Sequence, residues 1–361
     1  MNEARLLVCD TVERIMREAV DDRLLARAEQ GEWAQALWDT VEQSGLTAVL
    51  SAESAALGAG WPEAFDIVTA AGRFCAPLPL PETIAATWLL AAAGIEPPGG
   101  PLTLGLAGQS GDLRLARHGS GWQLTGAVER AAWGRRATHV ALTANADHAR
   151  YVVCAPTAGS RITPGENLAG EPRDTLAFEG EAVIAAPNPP SLEHVDGLAL
   201  GALMRAAQIA GAVQAVLEQS VSYADSREQF GRPIGRFQAV QQSLAVLAAE
   251  AAAARIAAEH AFALVAAGAR ADHAAAIAKI RTGEAAGRAA AIGHQVHGAI
   301  GFASEHRLHF ITRRLWSWRA EFGPESTWAD RLGQGALGHG ADRLWPWITG
   351  DLSIPHTRIA T

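Results

Sequence analysis

Apolar residues recur at helical spacing through the first ninety-odd positions, with Val12, Ile15, Met16 and Ala19 on one stripe and Leu24, Leu25 and Leu37 continuing the apolar supply. Two further helices are expected over about 62–76 and 81–94. The cluster Pro77, Pro79 and Pro81 separates them, because proline cannot continue a helix interior. "GIEPPGGP", Gly94 to Pro101, then reads as a linker. From about 101 to 188 the period changes from helical to two: Leu113 and Leu115, a His-Gly-Ser-Gly turn, then Trp122 and Leu124 predict a hairpin. "THVALTA", "ARYVVCAP" and "EAVIAAP" are further strand candidates.

"PNPP", Pro187 to Pro190, marks a second boundary, and from about 195 to 300 the pattern is helical again in long pieces. Val213, Val216, Leu217, Ser220 and Tyr223 share one face of the first piece. A second runs from about Phe237 to 267 and a third from about 271 to 298, with Gly231, Pro233 and Gly235 forcing the break between the first two. Long helices joined by short turns predict an antiparallel bundle. The expected fold is therefore α+β: an N-terminal helical domain over 1–97, a middle β-domain over 98–190, and a C-terminal four-helix bundle over 191–361.

Composition narrows the function. The 361 residues are 49% hydrophobic and 19% charged, which suits a globular chain. A net charge of −8 argues against general nucleic-acid binding, which needs a basic face. Cys9, Cys75 and Cys154 form no paired motif, so neither a disulfide framework nor a zinc site is expected and a reducing cytoplasm is the default. The longest Ala-rich run is interrupted by Glu250, Arg255, Glu259 and His260, so it reads as a globular helix and not a membrane span. The N-terminus carries early acidic residues and no secretory apolar core. His294 and His297 lie three apart on a helix, but no third or fourth ligand follows from spacing, and no metal is expected.

The chemistry concentrates in "YADSREQFGRPIGRFQ", Tyr223 to Gln238. Arg227 falls where a helix gives way to a turn, and a guanidinium fork suits a pyrophosphate better than a lysine's point charge. On the residues alone, an ion pair of Arg227 with Asp225 or Glu228, and turn roles for Gln229, Phe230 and the glycines, are the plainer reading. With "QVHGAIGFASEHRLHFITRR", Gln295 to Arg314, and the weaker "AAGRFCAPLPLPET", however, the stretch resembles the acyl-CoA dehydrogenase family of flavoproteins over nearly the whole chain. The resemblance implies that Arg227, Gln229 and Phe230, with Gln295 and Gly298, contact flavin adenine dinucleotide (FAD) held mainly by a neighbouring subunit. It also implies an acyl-CoA thioester substrate, α,β-dehydrogenation, an oligomer, and electron-transfer flavoprotein as a candidate acceptor.

The rest of the family's apparatus departs from pattern. The usual flavin cradle is represented only by "TLGLAGQSGD", Thr103 to Asp112, and "GAVERAAWG", Gly126 to Gly134, where Arg130 stands for a tryptophan and Ala132 for a hydroxyl residue. In "WRAEFGPESTW", Trp318 to Trp328, Phe322 occupies the place of the glutamate base, flanked by Glu321 and Glu325 as displaced candidates. The alternative base position on the first bundle helix falls at Gly201. An intact arm beside an eroded centre resembles the shorter subunit of heteromeric bacterial acyl-CoA dehydrogenases of steroid degradation, in which a related chain shares the flavin. A self-sufficient homotetramer using Glu321 or Glu325, and a flavin-free structural subunit, remain the competing expectations.

Overall fold

The computed structural model describes residues 3–106 and 113–349. Six helices come first: α1 (Glu3–Ala19), α2 (Asp22–Glu29), α3 (Gln35–Gln43), α4 (Ala52–Ala56), α5 (Trp61–Phe74) and α6 (Leu80–Ala92). Asp21 caps α2 by accepting from the Leu24 amide at 2.7 Å, and Pro62 and Pro81 sit in the first turns of α5 and α6, where an unpaired N–H is tolerated.

Seven strands follow: β1 (Leu102–Leu104), β2 (Arg114–His118), β3 (Gly121–Ala132), β4 (His139–Ala146), β5 (Ala149–Pro156), β6 (Arg161–Thr163) and β7 (Arg173–Pro187). They form one sheet in the order β1-β4-β5-β7-β3-β2, with β6 also on β7. Among the described residues, only the β1–β4 pair of this sheet is parallel. The expected hairpin is the β2–β3 pair, with His118 opposite Gly121. The third strand candidate, 181–187, is the end of a strand that begins at Arg173.

The C-terminal part opens with α7 (Gly197–Ser226), followed by the short strands β8 (Glu228–Gln229) and β9 (Arg232–Pro233), then α8 (Gln238–Ala266), α9 (Ala271–His297), α10 (Leu308–Ala320), α11 (Glu325–His339) and α12 (Ala341–Thr349). The four-helix bundle is α7 to α10. The face of Val213, Val216, Leu217, Ser220 and Tyr223 is turned inward while Glu218, Val221 and Ser222 are exposed; N-terminal to it, every residue from Ala199 to Val213 is buried, because α5, α6, α8, α9 and α10 pack around the helix. α7 is long and apolar enough to cross a membrane, yet its most apolar window is 89% buried by these neighbours.

One apolar core runs continuously through the N-terminal helices and the bundle, while a second lies on the sheet around Leu124, Val140, Leu142, Leu176 and Phe178. α5 and α7 meet backbone to backbone: a Cβ on Gly211 would lie 2.0 Å from the Thr69 carbonyl oxygen, and one on Gly72 would lie 2.1 Å from that of Gln208. Two glycines at one crossing thus set the depth at which α7 is buried, and with it the position of Arg205 on that helix.

Candidate functional site

The arm is built by the end of α7. Arg227 is the C-cap residue, already extended at φ −79° and ψ 118°. β8 and β9 pair across a two-residue turn, with Glu228 opposite Pro233 and Gln229 opposite Arg232. Both turn residues, Phe230 and Gly231, have positive φ, at 53° and 76°, as the mirror-image hairpin turns require. Glycine adopts that conformation freely, but phenylalanine is strained in it. Phe230 is also 93% exposed, meeting Phe237 edge-on at 6.2 Å while the Arg232 guanidinium lies 4.3 Å over the Phe237 ring. A strained aromatic projected into solvent gains nothing for this chain's own core.

Arg227 is exposed, and neither Asp225 nor Glu228 pairs with it. Because α7 and α9 run parallel in the bundle, the end of α9 lies beside the arm, and the Tyr223 ring stacks on His297 at 4.6 Å and 22°. Gly298 ends α9 at φ 63°, with Gln295 exposed on its last turn. The five residues expected to meet a dinucleotide therefore share one end of the bundle, and all five are exposed.

The remodelled loop lies at the other end of α9. Lys279 is buried in that helix and donates to the carbonyl oxygens of Arg319 at 2.6 Å and Gly323 at 2.9 Å. From Lys279 to His297 is 18 residues, or about 27 Å at the helical rise. Between Arg319 and Gly323, Phe322 takes positive φ (53°) and lays its ring on α7, where a Cβ on Gly201 would lie 2.1 Å from Phe322 Cδ1. The two positions at which the resemblance looks for a base thus pack against each other as a ring on a glycine.

Glu321 is buried beside them. Its two oxygens accept from Arg173 twice at 2.8 Å, from Arg205 at 2.8 Å and from Asn167 at 2.9 Å. Burial pushes this carboxyl up, but the Arg173 and Arg205 charges and the Arg173 and Asn167 hydrogen bonds more than offset it and bring the pKa to about 2. A carboxylate held there is a poor acceptor for a substrate proton near neutrality. Glu325 instead bonds Arg319 at 2.5 Å and packs against Gly283.

The Glu321 pair belongs to a longer ladder of alternating charge: Glu82, Arg205, Glu321, Arg173, Glu171, Arg314 and Glu29 in turn. Its members come from α6, α7, the end of α10, β7 and the loop before it, α10 and α2, so it joins all three parts of the fold. The Trp318 indole also donates to Glu171 at 3.0 Å. The sequence reading missed this ladder. Its one available signal was a lone arginine in the apolar run "GALMRAAQIAGAV", which requires a buried partner.

A cavity of about 180 Å³ opens above Glu321, lined by Arg130, Leu106, Leu198, Phe322 and Thr327 among others. Small-molecule sites usually offer about 300–1,000 Å³, so this space does not fit a flavin ring together with a thioester. The cradle residues agree. The Thr103 hydroxyl is spent on the Ala132 carbonyl at 2.6 Å, and Trp133 is buried edge-on to Trp33 at 6.1 Å. Positions 107–112 of the Gly-rich stretch lie outside the described residues. The arm, by contrast, has the chemistry for a diphosphate: an unpaired guanidinium, an amide and an exposed ring.

Residues 195–336 match the family model "Acyl-CoA dehydrogenase, C-terminal domain". The chain is similar to the acyl-CoA dehydrogenase IpdE2 of Mycolicibacterium smegmatis, at 25% identity over 92% of this chain and 98% of that protein. With IpdE2 of Mycobacterium tuberculosis it shares 42% identity over 31% of this chain and 34% of the other. The fold is that of the ChsE4-ChsE5 complex from Mycobacterium tuberculosis, with a TM-score of 0.82, 24% identity and coverage of 94% of this chain and 99% of that one. Residues 195–336 thus match the acyl-CoA dehydrogenase C-terminal domain, and over nearly its whole length the chain is similar to an acyl-CoA dehydrogenase and shares that fold.

Proposed function

We propose that this chain is one subunit of an FAD-dependent acyl-CoA dehydrogenase that introduces a double bond between the α and β carbons of a CoA thioester, and that it contributes half of an FAD site completed by a related catalytic chain. The observation that carries this reading is the division between the two ends of α9: a solvent-directed Arg227 and Phe230 at one, and at the other a Phe322 ring closed on Gly201.

In such an assembly bound flavin supplies the hydride acceptor. Arg227 places a bidentate cation against the diphosphate, Gln229 and Gln295 offer amides to polar edges, and Phe230 covers an apolar part of the dinucleotide. Gly298, without a Cβ, lets the backbone approach. Proton abstraction falls to the partner chain, because Glu321 is committed to Arg173 and Arg205. The similarity to IpdE2, an acyl-CoA dehydrogenase, and to a steroid acyl-CoA dehydrogenase supports a bulky, steroid-derived thioester as substrate, and with it we take electron-transfer flavoprotein as acceptor and a cytoplasmic setting.

Purification tests this directly. The chain alone is expected to be colourless and inactive, and to gain yellow colour and turnover with a family member that carries an intact base. Colour with turnover from the chain alone would support the homotetramer instead. Association without a change in flavin content would support a structural subunit.

A further inference from the structure

Arg130 stands in a β-bulge. The β3–β7 register shifts between Val128 and Ala131, so Glu129 and Arg130 together oppose a single residue, and Arg130 adopts φ 51°. A non-glycine residue in that region is strained, and bulges beside sites commonly re-aim a side chain. Here the bulge sets Arg130 on the lining of the 180 Å³ cavity. Among the described residues Arg130 has no hydrogen bond, ion pair or ring contact.

The charged groups on the cavity differ in how they are paired. Its charged lining groups are Arg130, Arg173 and Glu321, two positive and one negative. Arg173 is paired with Glu171 and Glu321, and Glu321 accepts from Arg173, Arg205 and Asn167. Among the described residues, Arg130 is the lining charge that makes no ion pair. Beside it Thr327 offers a hydroxyl, and Leu106, Leu198 and Phe322 make apolar walls. A cation on the lining, with a hydroxyl and apolar side chains on the same cavity, matches a carboxylate on a short hydrocarbon body. At about 30 Å³ per water-sized group, the volume holds roughly six such groups.

We propose that this pocket is a binding site for a short aliphatic carboxylic acid, its carboxylate on Arg130 and its chain against Leu198 and Phe322. The site needs no flavin and no partner chain, so it stands apart from the shared-cofactor reading. Because the catalytic centre of this chain is closed, such a ligand is held rather than turned over.

The test is calorimetric titration of the intact chain with butanoate, alongside butanamide and decanoate. Saturable butanoate binding is expected, with butanamide and Arg130→Gln each weakening it by on the order of 10- to 100-fold and decanoate excluded. Phe322→Ala should admit decanoate by opening the wall. Arg130→Gly relieves the positive-φ strain, so it should keep or raise the melting temperature while losing butanoate; it separates loss of binding from loss of fold. Equal binding of butanoate and butanamide, undiminished binding by Arg130→Gln, or no saturable binding at all would overturn the site.

Discussion

The Phe322 ring rests on Gly201, so closely that a Cβ at the glycine would sit 2.1 Å from ring carbon Cδ1. One residue comes from the loop after α10 and the other from α7, and each is a place where the resemblance seeks a carboxylate. At both places a ring packed on a glycine stands where a carboxylate was sought. Gly201→Ala should therefore destabilise the chain by about 1–3 kcal/mol through overpacking. Adding Phe322→Ala should recover most of that loss. Denaturant midpoints of the two single variants and the double variant check the coupling.

The buried ladder predicts acid sensitivity. Glu321 has its pKa lowered in the fold to about 2 from an ordinary 4.5. A lowered carboxyl pKa contributes stability that is present above about 4.5 and is lost as pH falls toward 2. Glu321→Gln should flatten the pH dependence of the melting temperature in that window. At neutral pH it should cost about 3–5 kcal/mol, because Arg173 and Arg205 remain buried without it.

Lys279 acts in the opposite window. Burial lowers its ammonium to about 7 from 10.5, against the raising influence of Glu325 and Glu321. Between those values the unfolded chain binds more protons than the folded one, so stability from this group rises with pH from about 7 to 10.5. Lys279→Met should remove that rise. It should also loosen the Arg319–Gly323 loop, whose two carbonyls lose their donor, and faster amide exchange there would show it.

Much of the fold was legible in the chain. The proline cluster at 77–81 fixed the gap between α5 and α6, and the glycines and Pro233 fixed the break after α7. The start of β7 was harder to see: Arg173 and Asp174 look like solvent-facing charges but are buried with Glu321 and Arg135. The ladder was invisible for the same reason. Glu321 lies 116 positions from Arg205 and 148 from Arg173, and no local pattern pairs either arginine with it. Phe322 and Gly201 were each readable as a vacant base position, but their contact depends on how deeply the Gly72–Gly211 crossing sinks α7.

The arm should be dispensable for this chain's own stability. Phe230→Gly removes an exposed ring and relieves a positive φ, so the melting temperature should hold or rise. Flavin retention by the assembled complex should nonetheless fall. A parallel loss of stability in the isolated chain would show that Phe230 packs for its own fold instead.

The most direct measurement is the flavin-to-protein ratio of the complex reconstituted with a base-bearing related chain, comparing wild type with Arg227→Ala. The ratio should drop severalfold while the two chains still co-elute. Unchanged flavin content in a fully assembled Arg227→Ala complex would contradict the shared site.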